Sequence, residues 1–107
     1  MTWIVETIDA SVDAELAALP NDQKAKFAWI AKLIHEHGLP RIREPYVKYL
    51  GKGLWEIRMK GRDGISRALF VVEKPRRVVV VRVFVKKTQA TPRREMQLAL
   101  KRAERLK

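Results

Sequence analysis

Cysteine is absent from this chain of 107 residues. That excludes disulfides and thiolate metal sites, and it permits a reducing compartment without requiring one. Histidine is nearly absent, with only His35 and His37. Two imidazoles are too few for a histidine-based metal site unless carboxylates help. Spaced two apart, they do not share a helical face, and they read as charges that complement the C-terminal end of a helix. No apolar run approaches the length that spans a bilayer, and the N-terminus lacks a basic region followed by a long apolar stretch. We therefore expect a cytoplasmic chain with no signal peptide and no membrane partner. Beyond Val47 there is no histidine, and Tyr49 is the only tyrosine.

Acidic residues are the other shortage. Twelve of them face 23 Lys and Arg, a formal net charge of +11. Such an excess points to a polyanion or an acidic protein as partner. The imbalance is also local. The first forty residues carry Glu6, Asp9, Asp13, Glu15, Asp22 and Glu36 against Lys24, Lys26 and Lys32, whereas from Lys74 onward only Glu95 and Glu104 relieve the basic residues. A hydrophobic fraction of 47% is ordinary for a folded protein, and the length suits one domain, residues 1–107, with a modest core.

The chain reads as an alternation of short elements. Trp3–Ile8 is β-branched and aromatic, a first strand. Val12, Leu16 and Leu19 recur at helical spacing, so Asp9–Leu19 is a short helix that Pro20 interrupts. Asn21 or Asp22 can cap a second helix over Asp22–Gly38, with Phe27, Ile30, Leu33 and Ile34 on one stripe. The two helices form a hairpin against one sheet face. Tyr46–Leu50 is a short strand. Leu54–Lys60, Ser66–Glu73 and Arg77–Val85 are longer strands, joined through Gly61-Arg62-Asp63-Gly64 and Glu73-Lys74-Pro75-Arg76. The Val78–Val81 run predicts a central strand buried on both faces. Thr91 can cap a last helix with Pro92 at its first position, and Glu95 favours that end of the dipole. The sum is an α+β fold: an N-terminal strand, a two-helix hairpin, a small mostly antiparallel sheet and a C-terminal helix.

Within Leu54–Lys60 the period of two puts Glu56, Arg58 and Lys60 on one face and Trp55, Ile57 and Met59 on the other. A sheet that shows a charged face to solvent could hold a phosphodiester backbone. Arg67 on the next strand offers a second planar fork of donors for phosphate oxygens.

The chain resembles the RelE/HigB-type toxins of bacterial toxin–antitoxin pairs, and more narrowly their phage-derived, killer-protein (HigB-like) branch. The likeness is carried by Leu54-Trp55-Glu56-Ile57-Arg58, Gly64-Ile65-Ser66-Arg67-Ala68-Leu69-Phe70, Phe84-Val85-Lys86-Lys87-Thr88, Thr91-Pro92 and Ala99-Leu100-Lys101-Arg102-Ala103. It implies a RelE-like, microbial-RNase-like fold and cleavage of messenger RNA at the ribosome through 2′-hydroxyl attack. It also implies a cognate antitoxin, commonly a helix-turn-helix (HigA-like) protein. No cofactor or metal is implied.

On this reading the catalytic candidates are Glu56, Arg58, Lys60, Arg67 and Lys87. By the resemblance Arg67 is the phosphate-binding arginine, and Arg58, Lys60 and Lys87 match further basic positions. Glu56 is the candidate general base, with an ion pair that orients Arg58 or Arg67 as its alternative role. A lysine, Lys60 or Lys87, could serve as base if like charges depress its pKa. The candidate contacts to mRNA and ribosomal RNA are Arg62, Lys86, Arg93, Arg94, Lys101 and Arg102. Trp55 and Phe70 read as core; Phe84 could be core or could stack on a base. The family often places a tyrosine or histidine at the last helix, where this chain has Met96 and Gln97. Two other readings compete: a ParE-like toxin that poisons gyrase, and a basic module that binds without catalysis.

Overall fold

The computed structural model describes residues 2–87 and 90–107. Its elements run β1 (Ile4–Thr7), α1 (Ala10–Ala17), α2 (Asn21–His37), a 3-10 turn (Leu39–Arg41), β2 (Val47–Gly51), β3 (Leu54–Gly61), β4 (Gly64–Glu73), β5 (Arg77–Lys86), α3 (Arg93–Ala103) and a closing 3-10 turn (Glu104–Leu106). The strands form one five-stranded sheet in the order β1-β5-β4-β3-β2. Only the β1–β5 pair is parallel. The expected α+β layout is therefore present, with the valine-rich strand inside the sheet.

Both faces of the sheet are covered. α1 and α2 pack on one face over a core that includes Ile30, Ile34, Ile57, Met59, Phe70 and Val80. α3 packs on the other over Leu54, Leu69, Val79, Val81 and Ala99. Val78–Val81 thus feed both cores in alternation, and none is more than 1% exposed. Full burial of a valine contributes about 1.5–3 kcal/mol, which outweighs the helix and strand propensities at stake. The second core corrects the expectation of an open charged face: α3 covers one end of it, and Glu56 and Arg67 are only 2% and 5% exposed.

β5 carries an irregularity. Leu69 pairs with Arg82 but Phe70 pairs with Val80, so Val81 is an extra residue in the strand. This bulge puts Val81 and Arg82 side by side opposite Leu69. Val81 joins the core under α3, and Arg82 reaches the helices.

The helix starts depart from expectation. Asp9 caps α1 rather than opening it, accepting from the Val12 amide at 3.1 Å. α2 instead starts after Pro20 with no side-chain cap. The Asp22 carboxylate accepts from the Arg62 amide in the β3–β4 turn. That contact depends on Gly61: a methyl group there would overlap the Asp22 carboxylate and crowd Gln23. Gly61→Ala is expected to lower stability by about 1–3 kcal/mol through overpacking, read as a lower urea midpoint with unchanged far-UV circular dichroism. A midpoint equal to wild type would show that the turn adjusts freely.

Candidate functional site

The register of the sheet assembles the basic residues. On the α3 side, Arg58 of β3 stands opposite Arg67 of β4, and Arg67 opposite Phe84 of β5. One row along, Lys60 stands opposite Ile65, and Ile65 opposite Lys86. In the next row on the other side, Lys48 of β2 stands opposite Glu56, and Glu56 opposite Leu69. Neighbouring strands lie about 4.8 Å apart, so Lys48, Glu56, Arg58, Arg67 and Lys86 share one patch.

Glu56 is the centre of that patch. Its side chain is 3% exposed and both oxygens are occupied. Oε2 accepts from Arg58 Nε at 3.0 Å. Oε1 accepts from the Thr91 hydroxyl at 2.7 Å and lies 3.3 Å from Arg67 Nε. The Arg67 contact is ionic and misaligned for a hydrogen bond. Among the described residues Arg67 donates only a long bond, 3.4 Å, from Nη1 to the Ser66 carbonyl. Most of its donors are therefore uncommitted among the described residues. Burial lowers its pKa, Glu56 raises it, and the Arg58 charge lowers it again. An arginine remains charged regardless. Arg58 is a quarter exposed and also faces Glu44 at 3.7 Å.

Lys86 and Lys87 exchange places relative to expectation. Alternation along β5 directs Lys86 to the Arg67 side. Its pKa is lowered, first by burial and then by Arg67, with Arg58 and Lys48 adding to this and Glu56 opposing it. Lys87 follows the end of the strand and lines a different hollow of about 450 Å³, with Glu15, Arg82, Val85, Pro92 and Arg94. It does not join Arg58 and Arg67. Lys60 shares their face but is exposed at the end of its row.

The candidate RNA contacts divide as well. Arg62, Arg93, Arg94 and Lys101 are exposed. Arg102 is spent inside the fold: it bonds Glu15 and, from Nη1, the Val81 carbonyl at 2.9 Å. Thr91 does not cap α3, whose first turn has no side-chain cap; its hydroxyl belongs to Glu56. Phe84 is 8% exposed and packs in the second core, with the Arg82 guanidinium 6.0 Å from its ring centre. Trp55 stacks near Phe70 on the opposite face. His35 bonds the Trp3 carbonyl at 2.7 Å, a structural tie.

Sequence reasoning did not single out Lys48, Thr91 as a Glu56 partner, or the Arg82 carboxylate cluster. Lys48 was accessible in principle, since β2–β3 pairing puts it opposite Glu56. The other two depend on contacts between distant segments.

Residues 14–104 match the family described as Phage derived protein Gp49-like (DUF891). The chain belongs to this Gp49-like family. No curated protein sequence matches it. Among solved structures, it is similar to an arginine-to-alanine double mutant of Escherichia coli toxin RelE in the free state, with a TM-score of 0.65 and 21% identity over 95% of this chain and 98% of that one. It is also similar to a chain of the archaeal RelE–RelB complex from Pyrococcus horikoshii OT3, with a TM-score of 0.58 and 22% identity over 84% of this chain and all of that one. The Gp49-like chain thus has the RelE toxin fold. Among its described residues no helix is long and apolar enough to cross a membrane.

Proposed function

We propose that this Gp49-like protein is the toxin of a type II toxin–antitoxin pair, and that it cleaves messenger RNA on the ribosome. The observation that carries the reading is Arg67: a buried guanidinium, held by a buried carboxylate, with uncommitted donors beside Arg58 and Lys86. A cation kept in that position suits the charge that develops on phosphorus when a 2′-hydroxyl attacks the adjacent phosphodiester. The reaction needs no metal, because the nucleophile belongs to the RNA. In this reading Arg67 and Arg58 bind the scissile phosphate and Glu56 orients them; its saturated oxygens do not favour the general-base role. Exposed Lys60, Arg62, Arg93, Arg94 and Lys101 contact the RNA backbone without reading sequence. The partner is a cognate antitoxin, a HigA-like helix-turn-helix protein, and the setting is the cytoplasm. A net charge of +11 suits both an RNA and an acidic antitoxin segment.

The test is cleavage of a defined message on purified ribosomes, mapped by primer extension. Wild type is expected to cut. Arg67→Ala is expected to lose about 10²–10³-fold in rate, the equivalent of about 2.7–4 kcal/mol. Arg67→Lys should recover little, because an ammonium lacks the fork. Gyrase-linked DNA breaks with intact message would favour the ParE-like reading instead. Intact message, intact DNA and no toxicity on expression would leave a binding module.

A further inference from the structure

The nuclease reading lacks a proton acceptor. Both oxygens of Glu56 are engaged by Arg58, Thr91 and Arg67. Arg58 and Arg67 hold their protons too tightly to act as bases. Tyr49 is turned to the other side of the sheet, with its hydroxyl accepting from the Gly53 amide. Lys87 lines a separate hollow. Lys48 and Lys60 share the face but are exposed, Lys48 on β2 beyond Glu56 and Lys60 at the end of its row. What remains beside Arg67 is Lys86, half-buried and without an ion-pair partner among the described residues.

We infer that Lys86 is the catalytic base, taking the 2′-hydroxyl proton while Arg67 and Arg58 hold the phosphate. Two residues before it, Phe84 pairs with Arg67, so Lys86 extends past the guanidinium on the same face. A ribose on that side of a phosphate held by Arg67 would meet this amine. The charged groups around it are Arg67 on β4, Glu56 and Arg58 on β3, and Lys48 on β2. Partial burial favours the neutral amine, and three cations against one carboxylate act in the same direction. A base of this kind need not be mostly deprotonated. Each unit by which its pKa falls raises the neutral fraction tenfold at a pH below it.

The step balances without a further reagent. The 2′-oxygen–hydrogen bond breaks and the proton goes to Nζ. The 2′-oxygen bonds to phosphorus, and the bond from phosphorus to the 5′-oxygen breaks. The 5′-oxygen takes a proton from water, and the ammonium returns its own to the hydroxide so formed. The products are a 2′,3′-cyclic phosphate and a 5′-hydroxyl.

The inference rests on the nuclease reading, and the experiment separates the two. Cleavage by wild type on ribosomes comes first; intact message there would end the nuclease reading itself. Lys86→Ala and Lys86→Arg are then compared, with matching thermal melts confirming the fold. Both are expected to fall about 10²–10⁴-fold, since arginine restores the charge but not a titratable amine. Added methylamine or ethylamine is expected to rescue Lys86→Ala, with the rescue rising in proportion to the neutral amine as pH increases. Lys86→Arg within threefold of wild type would make Lys86 a phosphate contact only. Lys86→Ala that ignores added amines would equally overturn the assignment.

Discussion

Glu56→Ala is expected to destabilise the fold by about 3–5 kcal/mol, the range for breaking a buried ion pair from one side. The side chains of Glu56 and Arg67 are 3% and 6% exposed. Removing the carboxylate leaves a guanidinium that water cannot reach well, next to the positive Arg58. The Thr91 hydroxyl loses its acceptor in the same step, and a hydrogen bond to a charged group contributes about 1.5–3 kcal/mol. Urea unfolding at neutral pH reads the loss. Because the pair is buried, raising the salt concentration should change it little. A cost under about 1 kcal/mol would show that Arg67 is held by something other than Glu56.

A second variant separates stability from positioning. Removing both charges, as in Glu56→Leu with Arg67→Leu, is expected to recover most of the stability lost in Glu56→Ala, because desolvation offsets much of the attraction in a buried pair. The double variant should nevertheless be inactive. A folded, silent protein would mean that the pair is kept for activity and not for the fold. Glu56→Gln should lie between: its amide oxygen still accepts from Arg58 or Thr91, but the charge that opposes Arg67 is gone.

Local pattern made the elements and the faces legible. Alternation along β3 separated Trp55, Ile57 and Met59 from Glu56, Arg58 and Lys60, and the sheet keeps that separation. Val78–Val81 announced an interior strand. The choice between Lys86 and Lys87 was not legible, because it depends on parity. The bulge at Val81 and Arg82 shifts the second half of β5 by one residue against its first half, and a one-residue shift exchanges faces. No window of sequence contains the Leu69–Arg82 pairing that reveals it. Caps failed for a related reason. Thr91 and Asp22 have the chemistry of helix caps, but Glu56 and the Arg62 amide, distant in sequence, take their oxygens. Arg102 looks like surface charge on an amphipathic helix until the fold brings Glu15 against it.

That last contact belongs to a network whose removal should be the other large effect. Arg82 Nη1 donates to Glu15 Oε2 at 2.7 Å, and its Nε donates to Glu95 Oε1 at 2.7 Å. Arg102 Nη2 lies 2.9 Å from Glu15 Oε2. Glu15 Oε1 also accepts from the Val83 amide at 3.0 Å. β1 pairs with β5 only as far as Val80, so this carboxylate serves the strand edge that β1 leaves open. One arginine thus ties α1, β5 and α3. Arg82→Ala would leave Glu95, whose side chain is 11% exposed, without its cation; the expected loss is about 3 kcal/mol. Acid should act on the same place. Burial pushes the Glu15 carboxyl up, but the bonds from Arg102 and the Val83 amide and the Arg82 charge more than offset it, and it titrates below its ordinary 4.5. A depressed carboxylate contributes its stability above the unfolded-state pKa and loses it as pH falls through the folded one. Wild type should therefore weaken progressively below about pH 4.5, and Glu15→Gln should flatten that limb. The half-buried Asp9, held low by Arg105 and then by the Val12 amide, acts in the same window. Arg105→Ala gives its share by difference. An acid limb of equal slope in Glu15→Gln and wild type would remove Glu15 from the account of acid sensitivity.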